Sequence, residues 1–402
     1  MRVVTLAAII VLLGFLMFGC TSENNSNNVP NYAENYTPNY TDHGQDNVQN
    51  IAPSPPKPVE TYKGGPIFIK GDDEFTSANG VIDGSGTKDD PYVIDLAGWT
   101  IDASLSDTSK EPYVKFGIAI SETSKYFVIK NCRVNDSDYA AKQSYGVGIS
   151  LYSAENGRIE NCTITGIHTG ILPDGAYNIT IADSTVENCE EGISTGTYSS
   201  DSIIVSNNTI MENGVGISFH YLQNSNAVNN TIGNNGVGVR MTNAAGSEIS
   251  GNILQENKDG IDVSPGNWEG GKDNNVISYN IVSGTADNDK NSNNVGISVD
   301  GSYDTVTYNT VNGNDWGISI DGNNNTVSYN TANNNQKTGI WISGVNHVVS
   351  HNTFVSNNEL KEFHSDKSPY WYDVYIEKAA NALEDNSYGT IYKEWEAMNL
   401  PG

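Results

Sequence analysis

The chain has 402 residues, with 21 Lys plus Arg against 48 Asp plus Glu and a formal charge of −27. A surface this acidic repels nucleic acid and anionic lipid and attracts cations or basic partners. Apolar residues make up 37 % and glycines number 40, which implies a thin core and many turns.

Residues 1–20 read MRVVTLAAIIVLLGFLMFGC: one Arg, an apolar run, then Gly19-Cys20. This is an export signal rather than part of the fold. Its ending resembles a lipoprotein lipobox, which makes Cys20 the candidate lipidation site, with an uncleaved membrane helix as the alternative. Residues 21–60 are rich in Asn and Pro and nearly free of aliphatic side chains. They cannot bury enough apolar surface to offset their ordering entropy, so they read as a disordered tether. Residues 61–116 are expected to form an N-terminal cap and the opening strands.

From residue 117 to 358 the sequence repeats. Gly followed by Ile or Val recurs at Gly117, Gly148, Gly170, Gly192, Gly216, Gly238, Gly260, Gly296, Gly317 and Gly339. A period in the low twenties marks a solenoid. Alternation such as Ile261-Asp262-Val263-Ser264 has the period of a strand, not a helix. The expectation is an all-β, right-handed parallel β-helix of about ten rungs, closed at the other end by a cap over 359–402, because open strand edges need covering.

The asparagines fall into two columns when the repeats are aligned. One holds Asn208, Asn230, Asn252, Asn280, Asn309, Asn330 and Asn352; the other holds Asn213, Asn235, Asn257, Asn314, Asn335 and Asn357, interrupted at Thr285. An amide both donates and accepts, so stacked amides can bond along the rod, and Asn tolerates the left-handed backbone of a tight turn. Cys132, Cys162 and Ser184 precede the first column and Cys189 the second. Cys132 and Cys162 are expected to stack as buried free thiols, with a rung-to-rung disulfide as the alternative. Tyr279, Tyr308, Tyr329 and His351 form an aromatic column, read as structural stacking.

These Gly-Ile/Asn rungs, and the segment FTSANGVIDGSGTKDDPYVIDLAGWTIDAS before them, resemble the right-handed β-helix repeats of NosD-like proteins and the pectate-lyase superfamily, including exported archaeal surface members. The resemblance implies fold more than activity. The hydrolase motifs of that superfamily are missing: Gly166-Ile167-His168-Thr169-Gly170 does not match its Gly-His-Gly. The six scattered histidines do not suit copper.

Residues two and four places after each repeat Gly point outward. Most are small and polar, but His220, Arg240, Asp262, Asp300 and Asp321 share one face. Arg240 and Asp262 form an expected cross-strand ion pair. Asp300 and Asp321, about 5 Å apart by strand spacing, could share a proton, hold a cation, or hydrolyse a glycoside with retention. The lyase branch of the resembled superfamily uses an Arg base beside Asp-bound calcium, which would give Arg240 a catalytic role with Asp300 and Asp321. The long unit after Gly260 adds two loops beside this face. One carries Trp268, able to stack on a sugar or to anchor its loop. The other begins like a calcium loop at Asp287, Asp289 and Asn291, but has Ser at the Gly and Glu positions of that motif.

The sequence therefore points to an exported, membrane-anchored surface protein that binds extracellular or envelope polysaccharide or glycoprotein glycans. Calcium is a possible cofactor and nucleic acid is not a partner. The alternatives are a non-catalytic structural envelope protein, or a polysaccharide lyase or glycoside hydrolase.

Overall fold

Three short strands make one turn of the chain. The turn at Val237–Ala245, Glu248–Ser250 and Ile253–Gln255 lies under the next, at Asp259–Ser264, Val276–Ser278 and Ile281–Ser283. Arg240 pairs with Asp262, Ile249 with Ile277 and Leu254 with Val282. The computed structural model describes residues 64–109, 114–142, 145–265, 273–284, 294–357, 372–378 and 380–393. Cys20, the 21–60 segment, Trp268, Asp287, Asp289, Asn291 and Thr285 lie outside the described residues, as does most of 359–402. Every strand pair among the described residues is parallel, and the strands form sheets of 25, nine and two members. The fold is a parallel β-helix.

Alternation buries one side of each strand. Ile118, Ile149, Ile171, Ile193, Ile217, Val239, Ile261, Ile297, Ile318 and Ile340 form one continuous interior column, each at most 1 % exposed. The glycine beat has a steric cause at Gly170. A β-carbon there would sit 2.4 Å from the Gly192 carbonyl oxygen and 2.6 Å from Val186 Cγ1. Only a bare α-carbon lets adjacent turns approach so closely.

The coil extends beyond the glycine-marked units. Ile67–Lys70 pairs with Lys115–Thr123, and Tyr92–Asp95 with Phe127–Lys130. Past Gly339, Val374–Ile376 pairs with Thr338–Ile342, and Ile391–Lys393 lies on Val374–Ile376. Parts of both terminal regions thus add further turns to the stack.

Both amide columns form bonded ladders. Asn252 Oδ1 accepts from the backbone N–H and from Nδ2 of Asn230, each at 2.9 Å, while Asn230 Nδ2 also donates to the Val205 carbonyl. The pattern runs along the first column from Ser184 to Asn386. In the second it links Cys189 to Asn257 and Asn314 to Asn357. The backbone assignment needs correction. The left-handed residue is the one before each ladder position, such as Asn207, Asn229, Tyr308 or Tyr329, with φ of 56–57°. The ladder amides take ordinary backbone angles and turn inward.

The cysteines also depart from expectation. Cys132 and Cys162 are stacked with α-carbons 4.6 Å apart and joined as a disulfide, rather than standing as free thiols. Among the described residues Cys189 alone is free, and it is buried. The aromatic column stacks as expected, with neighbouring ring centroids 4.8–5.0 Å apart from Tyr279 to His351.

Candidate functional site

The repeat glycines fix the register of the outward residues. On the first strand of successive turns Ser218, Arg240, Asp262, Ser298, Ser319 and Trp341 stand in one line. Two residues further on, His220, Thr242 and Ser264 form a second line. Asp300 and Asp321 extend that second line: their backbone N–H groups donate to Val263 and Val299 on the preceding turns, at 2.9 and 2.8 Å. His220, Arg240, Asp262, Asp300 and Asp321 are therefore on a common face, with the last two exposed.

Charges on this face are organised along the rod. Arg240 Nε lies 3.5 Å from Asp262 Oδ2, a partly exposed pair of the kind worth at most about 1 kcal/mol to stability. The Asp300 carboxyl is pushed above the usual carboxylate range. Desolvation by neighbouring atoms contributes most, followed by repulsion from Asp262 and Asp321; the Ser298 hydroxyl opposes this. Asp259, at the edge of the face, is also raised, first by burial, although it accepts from the Val295 N–H at 3.2 Å. Burial pushes the His220 imidazole below its ordinary value; Glu191 pulls it up and Arg240 pushes it down. Beyond Asp321, Glu377 closes the lines by accepting from Trp341 Nε1 and Ser343 Oγ at 3.1 and 2.9 Å.

The face thus offers alternating donors and acceptors, then a pair of carboxylates in register. Among the described residues no group of three or more His, Cys, Asp or Glu side chains is arranged to hold a metal ion. Asp300 and Asp321 could hold a hard cation only with further oxygen donors from a ligand or water.

A third ladder escaped the sequence reading. Ser225, Ser247, Asn275, Asp304, Asn325, His347 and Asn381 each accept a backbone N–H from the turn before. The signal was a constant offset of five residues before the first amide column. It is masked because four residue types fill the slot.

A family model described as "Right handed beta helix region" matches residues 116–268 and 147–299. The fold is a right-handed parallel β-helix. No curated protein matches the sequence. Similar solved structures include the DFA-IIIase of Arthrobacter chlorophenolicus A6 without its lid, at 12 % identity and TM-score 0.47, covering 71 % of this chain and 74 % of that one. The Dettilon tailspike protein is 15 % identical with TM-score 0.45, covering 73 % of this chain and 61 % of its own. The periplasmic alginate epimerase AlgG double mutant is 15 % identical with TM-score 0.41, covering 75 % and 85 %.

Proposed function

We propose that this β-helix binds extracellular or envelope polysaccharide along the face running from His220 to Asp321. The observation carrying this reading is the register of that face. Arg240, Asp262, Asp300 and Asp321 come from successive turns, spaced about 4.8 Å apart as strands are. Two adjacent lines of donors and acceptors, repeating once per turn, suit a polymer with repeating hydroxyl groups. The net charge of −27 disfavours nucleic acid. Calcium at Asp300 and Asp321, completed by ligand oxygens, would let the same face take acidic sugars. Export and membrane anchoring rest on residues 1–20, and the NosD-like relationship on the opening segment and repeats.

Glycan-array binding with and without calcium chloride tests the proposal. Asp321→Asn and Arg240→Ala should each weaken retention while leaving the fold intact. Absence of any retained glycan favours the structural-protein alternative.

A second reading has one observation in its favour. Asp300 holds its proton to higher pH than a free carboxyl and stands in register with Asp321, as an acid and a nucleophile of a retaining glycosidase would. Reducing-end release abolished by Asp321→Asn would support it; release unchanged by that substitution removes Asp321 from the mechanism.

A further inference from the structure

The third ladder contains one member with the wrong chemistry for its slot. Where Asn fills this position, its Nδ2 donates to backbone carbonyls: Asn275 to Ala244 at 3.1 Å, and Asn325 to Gly301 and Asp321 at 2.8 Å each. Asp304 lies between Asn275 and Asn325 in the column. Its Oδ1 accepts from the Asn275 N–H at 2.7 Å as the ladder requires. Its Oδ2 occupies the other limb of the side chain, which in Asn is the donor, and has no hydrogen-bond partner although Asp304 is only 1 % exposed. An acceptor stands where both neighbouring amides place a donor.

A second carboxylate shares the gap. Asp273, 3 % exposed, accepts from the Ser302 N–H through Oδ2 at 3.1 Å. A β-carbon built on Gly301 would lie 2.3 Å from Asp304 Oδ2 and 2.8 Å from Asp273 Oδ2. Both oxygens therefore line one small space beside Gly301, which a larger residue there would fill. Two buried carboxylates at such range repel unless positive charge lies between them. Burial, then the Asp273 charge, push the Asp304 carboxyl up to about 7, against the Asn275 N–H.

We propose that Asp273 and Asp304 bind a hard divalent cation of the calcium class beside Gly301, inside the turn that joins the first two strands of the coil. Oxygen-only donors favour calcium over softer metals. The ion would tie the long unit after Gly260, through Asp273, to the next turn, through Asp304, serving as the counterpart of the amide bond made elsewhere in the column. This site is separate from the Asp300/Asp321 face and from Asp287, Asp289 and Asn291.

The full chain, stripped with EDTA, is titrated with calcium chloride by calorimetry and by thermal unfolding. The expected result is saturable binding and a rise in Tm of roughly 2–4 °C, the scale of a modest linkage effect in a domain of this size. Asp304→Asn restores the donor of Asn275 and Asn325, so it should fold, and it should lose this calcium response. Asp273→Asn should lose it as well, and Asp321→Asn should retain it. A response unchanged by both Asp304→Asn and Asp273→Asn overturns the proposal. So does a wild-type protein that ignores calcium but gains stability as pH falls through 7, since the pair would then share a proton. Glycan binding is scored separately, so loss of this site leaves the polysaccharide reading standing.

Discussion

Asn230 lies directly beneath Asn252, whose Oδ1 takes hydrogen bonds from both its backbone N–H and its Nδ2 at 2.9 Å. Asn230 in turn accepts from the N–H and Nδ2 of Asn208. Each buried amide therefore serves three neighbours. Asn230→Ala strands the Asn208 N–H away from water, takes one donor from the Val205 carbonyl and leaves a void, and an unmet buried group costs about 1–3 kcal/mol. Thermal unfolding followed by circular dichroism should show a loss of roughly 2–4 kcal/mol. Substituting the exposed neighbour Asn229 by Gly, which keeps the left-handed backbone, should cost far less.

Gly170→Ala tests the close approach of turns. The new methyl would meet the Gly192 carbonyl, which is backbone and cannot swing aside. The turns must part locally, and overpacking of this kind costs about 1–3 kcal/mol or more. A fall in Tm, with poorer soluble yield, is the expected outcome.

The cysteine arrangement predicts a distinct chemical map. Non-reducing peptide mass spectrometry should recover a Cys132–Cys162 linked pair. Cys189 is buried, and desolvation pushes its thiol up to about 12. It should resist alkylation in the folded protein at neutral pH, because the thiolate is the reactive form, and react after denaturation.

His347 supplies a pH dependence. Its Nδ1 accepts from the Asn325 N–H at 3.2 Å and its Nε2 donates to the Ser343 carbonyl at 2.7 Å. The ring must therefore be neutral. Burial lowers its pKa below the ordinary 6.5, although the Ser343 bond and Asp321 oppose this. The unfolded chain consequently binds more protons than the folded one just below pH 6.5. Stability from this group is complete above that value and declines as pH falls toward the folded pKa. His347→Asn, which matches the ladder residues Asn325 and Asn381, should flatten the Tm–pH curve between neutrality and mild acid.

Much of this architecture could be read from the chain because its repeats use one residue type per slot. Gly170, Gly192 and Gly216 mark the close approach, Ile171, Ile193 and Ile217 fill the core, and Asn208, Asn230 and Asn252 bond along the rod. Strict alternation placed Asp262 outward, and the pairing of Arg240 with Asp262 bears out that register. The third ladder was obscured because Ser, Asn, Asp and His can all accept the same N–H, so function recurs where the letter does not. The C-terminal turn was hidden for a related reason: Val374–Ile376 pairs with the coil without the glycine that marks other turns. The cysteine pairing depended on how closely two stacked α-carbons approach, which alignment alone does not fix.

The outward face permits one test that needs no ligand. The half-buried His220 ring has a pKa lowered chiefly by burial, raised by Glu191 and lowered by Arg240. Arg240→Gln removes a nearby positive charge and frees the Asp262 carboxylate from its 3.5 Å partner, and both changes favour the imidazolium. The His220 pKa should therefore rise. Glu191→Gln removes the opposing negative charge and should lower it. Chemical-shift titration of a ring-labelled protein would read the two displacements in opposite directions. If neither substitution moves His220, the three side chains do not share the field assigned to them, and a polysaccharide site spanning this part of the face loses its electrostatic basis.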